Sequence, residues 1–141
     1  MRFFMNIKFY FKFLILVGIV ISCNSTPEQD VMSSLNGEIS DLKNATIFIV
    51  SEFDCYECVG KIESVVNDFQ NNEQHTFYGL YYKTSNKTSK LESSLYETIR
   101  IIWKNVNSIK LFNDINTLTG SANGPYVIEV RNGKLEYASA L

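Results

Sequence analysis

Ala45-Thr46-Ile47-Phe48-Ile49-Val50, followed by Ser51-Glu52-Phe53-Asp54 and then Cys55-Tyr56-Glu57-Cys58, decides the reading of this chain. Six apolar, β-branched or aromatic positions without polar alternation predict a short strand buried on both faces. The polar turn that follows ends the strand. From Tyr56 to Phe69, apolar groups at Val59, Ile62, Val65, Val66 and Phe69 fall on one face of an α-helix. The two cysteines therefore sit where a strand hands over to a helix.

Downstream, aromatic-rich Thr76 to Tyr82 reads as a second strand, and Lys83 to Lys90 is a linker with no apolar residue. Leu91, Leu95, Ile99, Ile102 and Val106 recur at helical spacing, and Ile109 to Leu118 continues in the same manner. Trp103 and this stripe are read as core. Tyr126 to Val130 and Leu135 to Ala138 flank Asn132-Gly133, the pair favoured in a type I′ hairpin turn. Toward the N-terminus, Glu28 to Leu35 is expected to form a short helix ended by Asn36-Gly37, and Glu38 to Asn44 an edge strand or connection. Phe77, Tyr78, Tyr81 and Tyr82 are read as core or half-core packing, and His75, in a polar turn, as a surface residue.

A thiol at a helix N-terminus is stabilised as thiolate by unpaired backbone N–H groups and by the helix dipole. A second thiol one turn further in can reach the first. Cys55 is therefore expected to attack and Cys58, at the start of an apolar helix face, to resolve the mixed disulfide. Two bonded cysteines three residues apart close almost no loop, so the bond would stabilise the fold little. That points to chemistry.

These features together resemble a thioredoxin-like domain: Ile47 to Val50 as central strand, Cys55-Tyr56-Glu57-Cys58 at the mouth of the helix, and Gly124-Pro125-Tyr126-Val127-Ile128-Glu129-Val130 with Asn132-Gly133-Lys134 as proline strand and hairpin. The resemblance implies an α/β fold, a thioredoxin-like sheet flanked by helices, from which this chain is expected to depart by a helical insertion before Pro125 and by lacking the usual closing C-terminal helix. It also implies a cis Pro125 facing the cysteines, with Gly124 and Pro125 presenting backbone groups to an extended substrate. Many relatives carry Trp and Pro where Asp54 and Glu57 stand, and a buried acid where Ile49 stands. Two carboxylates beside the pair disfavour a thiolate, so a reducing or isomerising role is expected over a strongly oxidising one.

The first residues carry Arg2, Lys8 and Lys12 without an acid, and Phe13 to Ile21 gives nine apolar or glycine residues. That is a basic n-region and short h-region, below the about 20 apolar residues of a spanning helix. Val20-Ile21-Ser22-Cys23 resembles the bacterial lipobox. It implies removal of residues 1–22, lipidation of Cys23, and a protein tethered outside the cytoplasm in a bacterial cell envelope. Residues 23–36 would then be a lipidated N-terminus and polar tether that includes the short helix, and residues 37–141 the thioredoxin-like domain.

Net charge falls from −2 to −5 when the three basic residues of the first 22 are removed. Lys and Arg are scattered, which argues against a nucleic-acid surface. The expected partners are disulfide- or thiol-containing envelope proteins, a redox partner the sequence does not identify, and the membrane through the lipid. No cofactor and no metal are expected. Two other readings stay open: Cu(I) gripped by Cys55 and Cys58, since Phe53 to Glu63 also looks like the metal loop of heavy-metal-associated domains, and a noncatalytic module binding another envelope protein. Zinc normally needs four ligands, and with Cys23 assigned to lipid only Cys55, Cys58 and His75 supply thiolate or imidazole.

Overall fold

The computed structural model describes residues 25–68, 75–98 and 100–141. The first helix, α1 (Pro27–Glu38), begins at Thr26, whose side chain accepts from the Gln29 N–H while Gln29 reaches back to the Thr26 N–H, a capping box reinforced by Pro27. Asn36-Gly37 does not end it. The helix continues to Glu38, and the Ile39 N–H closes it on the Leu35 carbonyl at 2.8 Å. Of the two expectations for Glu38 to Asn44, an edge strand or a connection, the structure gives the connection: Glu38 ends α1, and 39–43 lead into β1 (Asn44–Ser51).

The remaining order is α2 (Cys58–Asp68), β2 (Thr76–Tyr82), α3 (Lys90–Tyr96), β3 (Ile101–Val106), α4 (Ile109–Thr119), β4 (Tyr126–Arg131) and β5 (Lys134–Ala140). The five strands form one mixed sheet in the order β3-β2-β1-β4-β5. β1 lies at its centre, parallel to β2 and antiparallel to β4. Every β1 residue after Asn44 is buried, as an unbroken apolar run requires. Ala45, Ile47 and Ile49 pack toward α1 and α4, through Val31, Leu35, Leu111 and Ile115. Phe48 and Val50 face the other way, onto Ile62 and Val66 of α2 and Leu91 and Leu95 of α3. The period-2 alternation of the strand thus builds two cores, one per face.

This is an α/β fold compatible with a thioredoxin-like sheet flanked by helices, and among the described residues no helix follows β5. The segment before Pro125 supplies helices α3 and α4, but the helical stripe from Leu91 to Val106 is corrected in its second half. Ile101–Val106 is a strand, parallel to β2. Helical spacing alone did not distinguish the two outcomes. The outer backbone edge of β2 needs a partner, and Ile101, Ile102, Trp103 and Val106 suit a strand better than a helix.

Trp103 stands directly opposite Gly79 across the β2–β3 pair. A Cβ on Gly79 would overlap the Trp103 indole, so the glycine makes the bed for the ring. Gly79→Ala is expected to destabilise the domain by about 2–3 kcal/mol, because the indole must leave its place or the strand pair must open. Denaturant unfolding followed by the fluorescence of this single tryptophan measures it. An unchanged midpoint would contradict the packing.

At the other edge, Asn132 and Gly133 both have positive φ, 52° and 73°. The β4–β5 hairpin thus turns on the type I′ pair its sequence announces. Phe77, Tyr81 and Tyr82 are buried and Tyr78 is half-buried. His75 is not an open surface residue: its Nε2 lies 2.7 Å from Thr46 Oγ1, and its ring meets Phe77 edge-on.

Candidate functional site

The site lies where β1 ends. Ser51 closes the strand, and three hydrogen bonds fold the next residues into a turn. The Asp54 N–H donates to the Ser51 carbonyl at 3.0 Å, the Phe53 N–H donates to Ser51 Oγ at 3.1 Å, and the Ser51 N–H donates to Asp54 Oδ2 at 2.7 Å. Glu52 anchors the turn sideways. Its N–H donates to the Tyr82 carbonyl at 2.9 Å, and its carboxylate accepts from the Thr84 N–H and the Thr84 and Ser85 hydroxyls. The Thr84 hydroxyl, followed by its N–H, holds the Glu52 carboxyl below its ordinary pKa.

Cys55 and Cys58 are joined as a disulfide, with Cα atoms 5.6 Å apart. The Cys58 N–H donates to the Cys55 carbonyl at 3.1 Å and the Val59 N–H to the Tyr56 carbonyl at 3.2 Å. These bonds open α2, whose first residue is Cys58. The two sulfur positions are unequal. Cys55 is exposed, whereas Cys58 retains 5% exposure at the start of the face that buries Ile62 and Val66. Phe53 and Tyr56, on either side of Cys55, are also exposed, at 79% and 52%.

Gly124 and Pro125 approach the same turn. Tyr126, the first residue of β4, pairs with Ile49, so the residues before it lie beyond the C-terminal half of β1, at the end that carries the cysteines. The Gly124–Pro125 peptide is cis, Pro125 is buried, and its carbonyl accepts from the Leu141 N–H at 2.8 Å. A Cβ on Gly124 would sit 3.1 Å from Asp54 Oδ2 and 3.0 Å from the Tyr126 ring. The Tyr126 hydroxyl donates to the Ser121 carbonyl at 2.9 Å, which folds the loop after α4 onto the start of β4.

Burial raises the Asp54 pKa above its ordinary value, and the hydrogen bond from the Ser51 N–H opposes the rise in part. Burial also raises the Tyr126 phenol, with the Asp54 charge adding to the effect. In the sequence Asp54 is legible only as a charge beside Cys55. Its contact with Gly124 depends on β1 and β4 being neighbours, which no local pattern announces.

His75 is tied to Thr46, near the start of β1, away from the cysteine turn. Among the described residues there is no group of three or more His, Cys, Asp or Glu side chains placed to hold a metal ion. None of the described helices is long and apolar enough to cross a membrane. Cys23 and the signal-like segment lie outside the described residues. Comparison of the chain with family models, curated proteins and solved structures gives no match.

Proposed function

We propose that this protein carries out thiol–disulfide exchange on proteins of the cell envelope, through Cys55 and Cys58 of a thioredoxin-like domain tethered by lipid at Cys23. The observation that carries the reading is the inequality of the pair: an exposed Cys55 at the mouth of α2 and a buried Cys58 one turn in. The first sulfur is open to a partner. The second is open to the first.

In the reducing direction, the Cys55 thiolate attacks one sulfur of a substrate disulfide. A Cys55–substrate disulfide forms, and the other substrate sulfur leaves as thiolate. Cys58 loses its proton and attacks Cys55 Sγ, which forms the Cys55–Cys58 disulfide and expels the second substrate thiolate. Two electrons pass from the dithiol to the substrate, and a donor dithiol must restore the reduced pair. The reverse sequence oxidises a substrate dithiol. Gly124 and Pro125 lie at the cysteine end of β1, and with the Pro125 carbonyl engaged by the Leu141 N–H it is the Gly124 backbone that is left to meet an extended substrate.

The N-terminus of α2 favours the Cys55 thiolate, while the carboxylates of Asp54 and Glu57 oppose it. A weakly stabilised thiolate makes a reductant or isomerase, not a strong oxidant. The test is to mix the reduced full chain, in detergent, with a peptide disulfide at neutral pH and follow both partners by mass. Stoichiometric appearance of peptide dithiol and of the Cys55–Cys58 disulfide is expected. Cu(I) binding by the pair without exchange favours metal handling, and a disulfide that neither reduces nor exchanges favours a noncatalytic binding module.

A further inference from the structure

We propose that Asp54 is a positioning residue for this reaction: its carboxylate fixes the turn that presents Cys55 and holds the Gly124–Pro125 loop in register with that turn. The inference rests on the thiol-exchange reading above and adds to it a residue whose role is mechanical as well as electrostatic.

Asp54 Oδ2 faces two sides of the site at once. On one side it accepts from the Ser51 N–H at 2.7 Å, within the turn that ends at Cys55. On the other it lies where a Gly124 side chain would begin, 3.1 Å from an ideal Cβ. Gly124 adjoins Pro125, and Tyr126 on its far side fills the remaining space, its ring 3.0 Å from the same point. The carboxylate thus occupies the seam between the segment bearing the nucleophile and the segment proposed to receive the substrate backbone. The absence of a Gly124 side chain lets the two segments close to this distance.

The Asp54 carboxylate is half-buried, and burial raises its pKa. Taking a charged group partly out of water is unfavourable, so the fold tolerates a carboxylate here at a cost. A residue serving only as a surface charge would stay in solvent, as the exposed Glu57 does on the other side of Cys55. Asparagine keeps a side-chain oxygen for the Ser51 N–H and about the same volume against Gly124. Alanine keeps neither.

The test uses the reduced full chain in detergent, in variants Asp54→Asn, Asp54→Ala, Gly124→Ala and the double variant Asp54→Ala/Gly124→Ala. Two rate constants are read at a pH where Cys55 is fully ionised, so that changes in thiolate fraction drop out. One is exchange with a peptide disulfide, which needs both segments in register. The other is alkylation of Cys55 by iodoacetamide, which needs only the exposed sulfur. Asp54→Ala and Gly124→Ala are each expected to slow peptide exchange about tenfold, since small misplacements of reacting groups cost factors of this order. Asp54→Asn should retain the wild-type rate within about threefold, because it keeps the hydrogen-bond acceptor. Alkylation of Cys55 should change little throughout.

In the double variant the new methyl still meets the Tyr126 ring but no longer a carboxylate, so the combined loss should fall short of the product of the two single losses. If Asp54→Ala does not fold, which alkylation of the buried Cys58 would reveal, Asp54→Leu, which keeps side-chain bulk but offers the Ser51 N–H no acceptor, carries the test. Slowed peptide exchange with unchanged alkylation supports the proposal, and unchanged peptide exchange overturns it. Wild-type rates in Asp54→Ala, or singles that combine as independent factors, would also overturn it while leaving the exchange reading intact. A wild-type chain that exchanges with no peptide disulfide would remove both.

Discussion

Cys58→Ala is expected to leave Cys55 covalently joined to its disulfide substrates, whereas Cys55→Ala should trap little or none. Capture by Cys55 needs an exposed sulfur, and Cys55 has one at the end of the Ser51 to Asp54 turn. Release needs Cys58, which is 5% exposed and starts the helix that packs Ile62 and Val66 beneath β1. Without Cys58 the mixed disulfide has no internal thiol to cleave it and persists until an external thiol arrives. Without Cys55 the remaining thiol is buried, and burial disfavours the reactive thiolate. Nonreducing mass spectrometry of the two variants after exposure to a peptide disulfide measures the difference. Trapping chiefly through Cys58 would reverse the assigned roles.

The second large effect concerns the anchor. Cys23→Ala is expected to abolish fatty-acid incorporation and to release or mislocalise the domain with its fold intact. The expectation comes from Val20-Ile21-Ser22-Cys23 behind a short basic and apolar leader. Acyl chains contribute roughly 0.8 kcal/mol per buried methylene, so several chains on one residue would hold the domain at a membrane without a spanning helix. The described fold begins with the Thr26 cap of α1, after position 23 in the chain. Metabolic labelling with a radioactive fatty acid should mark the wild type and spare the variant. Equal labelling of both would remove the lipid assignment.

The parts of the fold legible in the sequence are those where local chemistry and tertiary demand coincide. Ile47 to Val50 reads as a two-sided strand because its run is unbroken, and Asn132-Gly133 reads as a hairpin because few other pairs accept positive φ twice. The miss at Ile101–Val106 has the opposite cause. Leu91 and Leu95 do lie on a helix, and Ile102 continues their spacing by coincidence. It is 59% exposed on a strand whose existence depends on the free edge of β2. The site divides in the same way. Cys55, Cys58, Gly124 and Pro125 are visible as motifs, but the Glu52 tie to Thr84 and Ser85 and the Asp54 approach to Gly124 join segments far apart in the chain.

The asymmetry between Cys55 and Cys58 matters to function only if their bond is made and broken reversibly. The measurement that reaches this most directly is the redox equilibrium of the full chain in detergent against thiol–disulfide buffers, read by alkylation and mass. One reversible two-electron transition confined to Cys55 and Cys58 is expected, in the range of reductases and isomerases, about −180 to −270 mV, and not near the strong-oxidant value of about −120 mV. A disulfide with no reversible transition across the accessible buffers, or one poised near the strong-oxidant value, would contradict it.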